Sequence, residues 1–78
     1  MEQKILNIIN EIRATKELPA IDNINVTDDL RNDLDLTSFD LAELTVKIED
    51  EFDIEIPDED IRNFRTVKDV LSYINEQN

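Results

Sequence analysis

Few side chains in this 78-residue sequence could do chemistry, and what is missing narrows the field first. There is no histidine and no cysteine, so a serine here has only carboxylates and lysines to serve as bases. With no glycine either, nothing supplies the tight elbow that presents a nucleophilic serine. Hydrolase-type attack does not fit these residues. One serine nevertheless has a distinctive setting: Ser38 follows Thr37 and opens the stretch Ser38-Phe39-Asp40-Leu41-Ala42-Glu43-Leu44. Serine is common in the first turn of a helix, yet this one begins the most acidic part of the chain. A hydroxyl without a base suits an acceptor that another enzyme modifies. Asp33, Asp35 and Thr37 have the one-three-five spacing of a calcium loop. That reading fails at two positions, because Ser38 replaces the required glycine and Leu44 the bidentate glutamate.

The elements that must position Ser38 read as helices. Ile5, Ile8, Ile9 and Ile12 recur at three-four spacing, which predicts a first helix over residues 2–15 with Glu2, Lys4, Glu11 and Arg13 off its apolar face. Residues 16–36 read as a long connection opened by Pro19, with Ile21, Ile24, Val26, Leu30 and Leu34 pinning it to the core. A short helical turn is expected at Thr27-Asp28-Asp29-Leu30. The second helix begins at Ser38, with Thr37 as N-cap and Asp40 completing a shortened capping box. Leu41, Leu44, Ile48 and Phe52 form its buried stripe, and Asp40, Glu43, Lys47 and Asp50 its exposed one. Ile54-Glu55-Ile56 alternates like a strand but is cut short by Pro57. Asp58 is expected to cap a short third helix over Glu59 to Asn63, burying Ile61 and Phe64. Thr66 and Asp69 repeat the capping pattern before a fourth helix to about residue 75, with Val67, Val70, Leu71 and Ile74 inward. The expected fold class is all-α, a four-helix bundle with three longer helices, one short third helix and a long loop between the first two. Residues 1–78 read as a single domain, too short for a second core.

Composition and charge bound the partners. A 40% hydrophobic content suffices for a packed interior, and 36% charged residues fall short of a disorder signature. The absence of cysteine removes any disulfide framework and fits a reducing compartment. No apolar run approaches the roughly 18 residues of a membrane span, and no signal segment opens the chain, so a cytoplasmic location is expected. The net charge of −12 is uneven: residues 39–60 alone carry ten acids against Lys47. Nucleic acid is an improper ligand for such a surface, since its phosphates are repelled. A protein with a basic docking patch is the natural complement.

The stretch from Ser38 through Asp40, Glu43-Leu44 and Glu49 to Asp60, ending in Thr66-Val67-Lys68-Asp69, resembles the acyl carrier protein family. The resemblance extends over about residues 1–76, and the run Phe52-Asp53-Ile54-Glu55-Ile56-Pro57-Asp58-Glu59-Asp60 is its most specific part. Within that pattern Thr37 stands where the family usually has aspartate, and Phe39 where it has leucine or another aliphatic residue. Lys47 interrupts the acidic stripe, and the family's glycine shortly before the serine is absent. The resemblance implies a carrier rather than an enzyme, with Ser38 joined to 4′-phosphopantetheine donated by coenzyme A. It implies a phosphopantetheinyl transferase, acyl transferases and synthases as partners of a monomer. Asp35, Thr37, Phe39, Asp40, Glu43, Lys47 and Asp50 would form the docking face. Fatty-acid-type carriers are the most similar, and a dedicated carrier in a polyketide or specialised lipid pathway stays open. A carrier of aminoacyl cargo (peptidyl or D-alanyl) and a carrier-like interaction module with an unmodified serine remain open alternatives.

Overall fold

The computed structural model describes residues 2–77. Four helices follow in order: α1 (Glu2–Thr15), α2 (Ser38–Phe52), α3 (Asp58–Ile61) and α4 (Val67–Gln77). The core is assembled from one apolar stripe of each long helix. Ile5, Ile9 and Ile12 of α1 meet Leu41, Leu44 and Ile48 of α2 and Val67, Val70 and Ile74 of α4, with Leu30, Leu34, Leu36, Ile56 and Phe64 filling between them. Burying such side chains supplies about 1.5–3 kcal/mol each, which a short chain needs against its ordering entropy. Among the described residues no helix is long and apolar enough to cross a membrane.

The long loop is held by polar bonds as well as by leucines. Asn10 makes a reciprocal pair with the backbone of Ile21, donating from Nδ2 to the carbonyl and accepting the amide at Oδ1. Arg13, expected off the apolar face, is instead buried. Its Nη1 donates to the carbonyl of Leu34 at 2.8 Å and its Nε to that of Pro19 at 3.2 Å. Ile21 and Ile24 are half-buried against the core, whereas the Val26 side chain is 39% exposed and lies outside it. The helical turn expected at Thr27–Leu30 is absent. Asp29 instead forms a bridge with Thr66, and the turn falls over residues 30–34. Backbone bonds from Leu30 to Arg65, Val67 to Asp28 and Lys68 to Val26 tie this loop to the start of α4.

The ends of α2 and α4 follow the expected capping, while α3 departs from it. Thr37 Oγ1 accepts from the Asp40 amide and Asp40 Oδ2 from the Thr37 amide, a complete capping box. Thr66 and Asp69 exchange the same two bonds. Pro57, not Asp58, occupies the N-cap position of α3, without a side-chain capping bond, and the helix stops at Ile61. A proline there has a preset φ and no amide to leave unsatisfied. Ile61 is only half-buried, and Phe64 takes the core position beyond it. Helix α4 runs two residues further than expected, to Gln77. Phe52 and Leu71 pack at the edge of the core rather than within it.

Candidate functional site

Ser38 is the first residue of α2, exposed, directly after the cap. The capping box uses Thr37 and Asp40 and leaves the Ser38 hydroxyl uncommitted to the helix. Unpaired amides of the first turn and the helix dipole favour a negative group at this position. The hydroxyl accepts one bond, from Nη2 of Arg31 at 2.7 Å. A cation in contact with the acceptor, a helix N-terminus and an open surface fit a phosphate ester at Oγ. Among the described residues, no group of three acidic side chains could hold a metal ion.

The turn that delivers Arg31 is fixed by its own carboxylates. Asp29 Oδ1 accepts the amides of Arg31 and Asn32, and Asp33 Oδ2 accepts the amide of Asp29. Leu30 and Leu34 on either side are buried. The amides of Asn32 and Arg31, aided by the charges of Arg65 and Arg31, hold the Asp29 carboxyl below the usual aspartate value. Nothing in the spacing of the sequence marks Arg31, seven residues ahead of Ser38, as part of the site. Its contact depends on how the 30–34 turn folds back on the helix start.

The seven residues expected around Ser38 do not share one face. Asp40 is buried, 7% exposed, and pairs with Lys16 Nζ at 2.6 Å. Burial raises its carboxyl pKa, yet the Lys16 hydrogen bond and the two Thr37 bonds outweigh it and leave the value lowered. Lys47 is half-buried and lies 3.4 Å from Glu11 of α1, and Glu43 is half-buried as well. Of the expected exposed stripe, Asp40 is thus buried and Glu43 and Lys47 are half-buried, Lys47 against α1. Asp50 is exposed as expected, as are Asp35, Thr37 and Phe39. Phe39 is 80% exposed, and Val46, two helical turns on, is 55% exposed. Ala42, also exposed, lies between them. The outward face of α2 beside the serine is thus apolar, flanked by acids. Val46 belongs to neither the buried nor the charged stripe of α2, and its i+7 spacing from Phe39 is the sequence signal for this strip.

A protein-family profile described as the phosphopantetheine attachment site matches residues 3–74. The acyl carrier protein of Syntrophobacter fumaroxidans is 44% identical over 75 residues, covering 95% of this chain and 86% of the relative. The acyl carrier protein of Buchnera aphidicola subsp. Schizaphis graminum is 42% identical over 78 residues, covering 100% of this chain and 94% of its own length. The crystal structure of an acyl carrier protein from Thermotoga maritima superposes with a TM-score of 0.77 at 26% identity, covering 97% of this chain and 88% of that one.

Proposed function

The chain belongs to the acyl carrier protein family, whose profile is that of a phosphopantetheine attachment site, and from that membership we propose that Ser38 receives the arm. The function is that of an acyl carrier using 4′-phosphopantetheine. When bound, that group supplies a thiol to hold acyl chains as thioesters, which no side chain of this cysteine-free sequence provides. The observation that supports Ser38 most strongly is its exposed hydroxyl at the first residue of α2, in contact with a guanidinium. The other serine, Ser72, lies inside α4, away from any helix start. Thr37 and Asp40 fix the helix start, and Arg13 and Asn10 fix the loop beside it.

The chain is a carrier with no turnover of its own. A phosphopantetheinyl transferase loads it, and acyl transferases and synthases of the cytoplasm exchange acyl groups of the fatty-acid type with a monomer. Docking uses the apolar strip Phe39–Ala42–Val46 framed by Asp35 and Asp50, with Glu43 at its margin and Thr37 beside the serine. A partner with an apolar contact spot inside a basic rim matches that surface. Intact mass after incubation with coenzyme A and a broad-specificity transferase tests the attachment. Wild type and Ser72→Ala should each gain one phosphopantetheine and Ser38→Ala none. Loading of Ser38→Ala would refute the assignment.

A further inference from the structure

Arg31 belongs to a wider basic site. A concavity of about 290 Å³ beside the start of α2 is lined by Arg31, Arg62 and Arg65 together with Asp29, Asn32 and Phe64. These are three of the four arginines in a chain of net charge −12. Among the described residues the four salt bridges engage Lys4, Arg13, Lys16 and Lys47 and none of these three arginines. The backbone bond from Leu30 to the Arg65 carbonyl at 2.9 Å holds Arg65 next to the turn that carries Arg31. Asp29 is the one carboxylate in the lining, and its Oδ1 is occupied by two backbone amides. The pocket therefore has an excess of positive charge in an otherwise acidic molecule, and its Arg31 is the residue that touches the Ser38 hydroxyl.

We propose that Arg31, backed by Arg62 and Arg65, is a clasp for the phosphodiester formed on Ser38, holding the root of the prosthetic arm against the 29–32 turn. This rests on Ser38 being the attachment point. The guanidinium is already at hydrogen-bond distance from Oγ, so a phosphate esterified there lies within its reach without rearrangement of the turn. Arginine suits the task because its fork of donors matches two phosphate oxygens at once. Arg62 and Arg65 contribute through the potential of the pocket, which keeps the phosphate on this side of the helix start and away from Asp35. Arg31 is a positioning residue, not a catalytic one.

The test uses apo and loaded protein made with coenzyme A and transferase, first checked by intact mass. Loading should shift the Arg31 Nε–H resonance in ¹H–¹⁵N spectra while that of Arg13, bolted to the long loop, stays in place. The ³¹P resonance of the loaded protein should shift in Arg31→Gln, shift less in Arg31→Lys, and move in the same direction in the Arg62→Gln/Arg65→Gln pair. An Arg31 resonance unmoved by loading of the wild type overturns the clasp while leaving the attachment intact. A ³¹P signal identical in wild type and Arg31→Gln does the same. A wild-type chain that stays bare overturns the attachment, and the clasp with it.

Discussion

Glu17, Asp35 and Asp53 each adopt a left-handed backbone, with φ of 61°, 60° and 55°, and the chain has no glycine to take these places. A side chain in that region costs roughly 1–2 kcal/mol, although aspartate bears it better than most residues. Asp53 closes α2, its amide bonding back to the Glu49 carbonyl, while Asp35 makes the last bend before Ser38. Asp35 also lies 3.5 Å from Arg13, but its side chain is 62% exposed, so that contact contributes little. Asp53→Gly and Asp35→Gly should each raise stability by about 0.5–1 kcal/mol in urea unfolding; a loss at either site would show that the carboxylate matters more than the backbone. The buried Asp40 makes a different prediction. Its pKa is lowered in the folded state, so its contribution is full above the ordinary aspartate pKa and disappears as pH falls through the lower folded value. The gap in melting temperature between wild type and Asp40→Asn should thus be widest near neutrality and close in acid. A gap independent of pH would mean that the Lys16 pair is not its source.

Among the elements, the start of α2 and the path of the long loop are each set by a few identifiable side-chain bonds. The Thr37 hydroxyl accepts the Asp40 amide at the start of α2, and Thr37→Ala should cost about 1 kcal/mol. Thr37→Asp should retain the cap, since either oxygen type accepts the same amide. Arg13 links α1 to the carbonyls of Pro19 and Leu34. Arg13→Met keeps the apolar stem but orphans those acceptors, and a loss of about 2–4 kcal/mol is expected. Faster amide exchange confined to the loop would accompany it; unchanged exchange there would argue that the leucines alone hold the segment.

At the scale of the whole molecule the charge is the dominant property. Asp53, Glu55, Asp58, Glu59 and Asp60 follow one another within eight residues from the end of α2 into α3, in a chain of net charge −12. Tyr73 helps hold this segment: its hydroxyl donates to Asp60 Oδ2 at 2.9 Å, and its ring meets Phe64 edge-on. Repulsion among the acids should be screened by ions, so added salt or millimolar divalent cation should raise the melting temperature. A flat response would show that the repulsion is unimportant. The same field should make docking of basic partners fast and salt-sensitive. Phe39→Ala, at a site 80% exposed, should leave stability within about 0.5 kcal/mol and raise KM with loading and acyl-transfer partners.

The helices, the capping of α2 and α4 and the position of Ser38 at a helix start are legible in the sequence because they are local. Three-four spacing of isoleucines and the pairs Thr37/Asp40 and Thr66/Asp69 act within one or two turns, so neighbours along the chain decide them. The faces of the helices were less legible. Asp40 and Arg13 look like surface charges in any helical projection, yet both are buried, because Lys16 and the carbonyls of the long loop meet them there. Arg31 lies far in sequence from Arg62 and Arg65, and the three become one site only when the 30–34 turn is tied to the start of α4. Local propensity fixes where a helix begins, whereas the partner of a charge depends on contacts between segments that only the packed chain brings together.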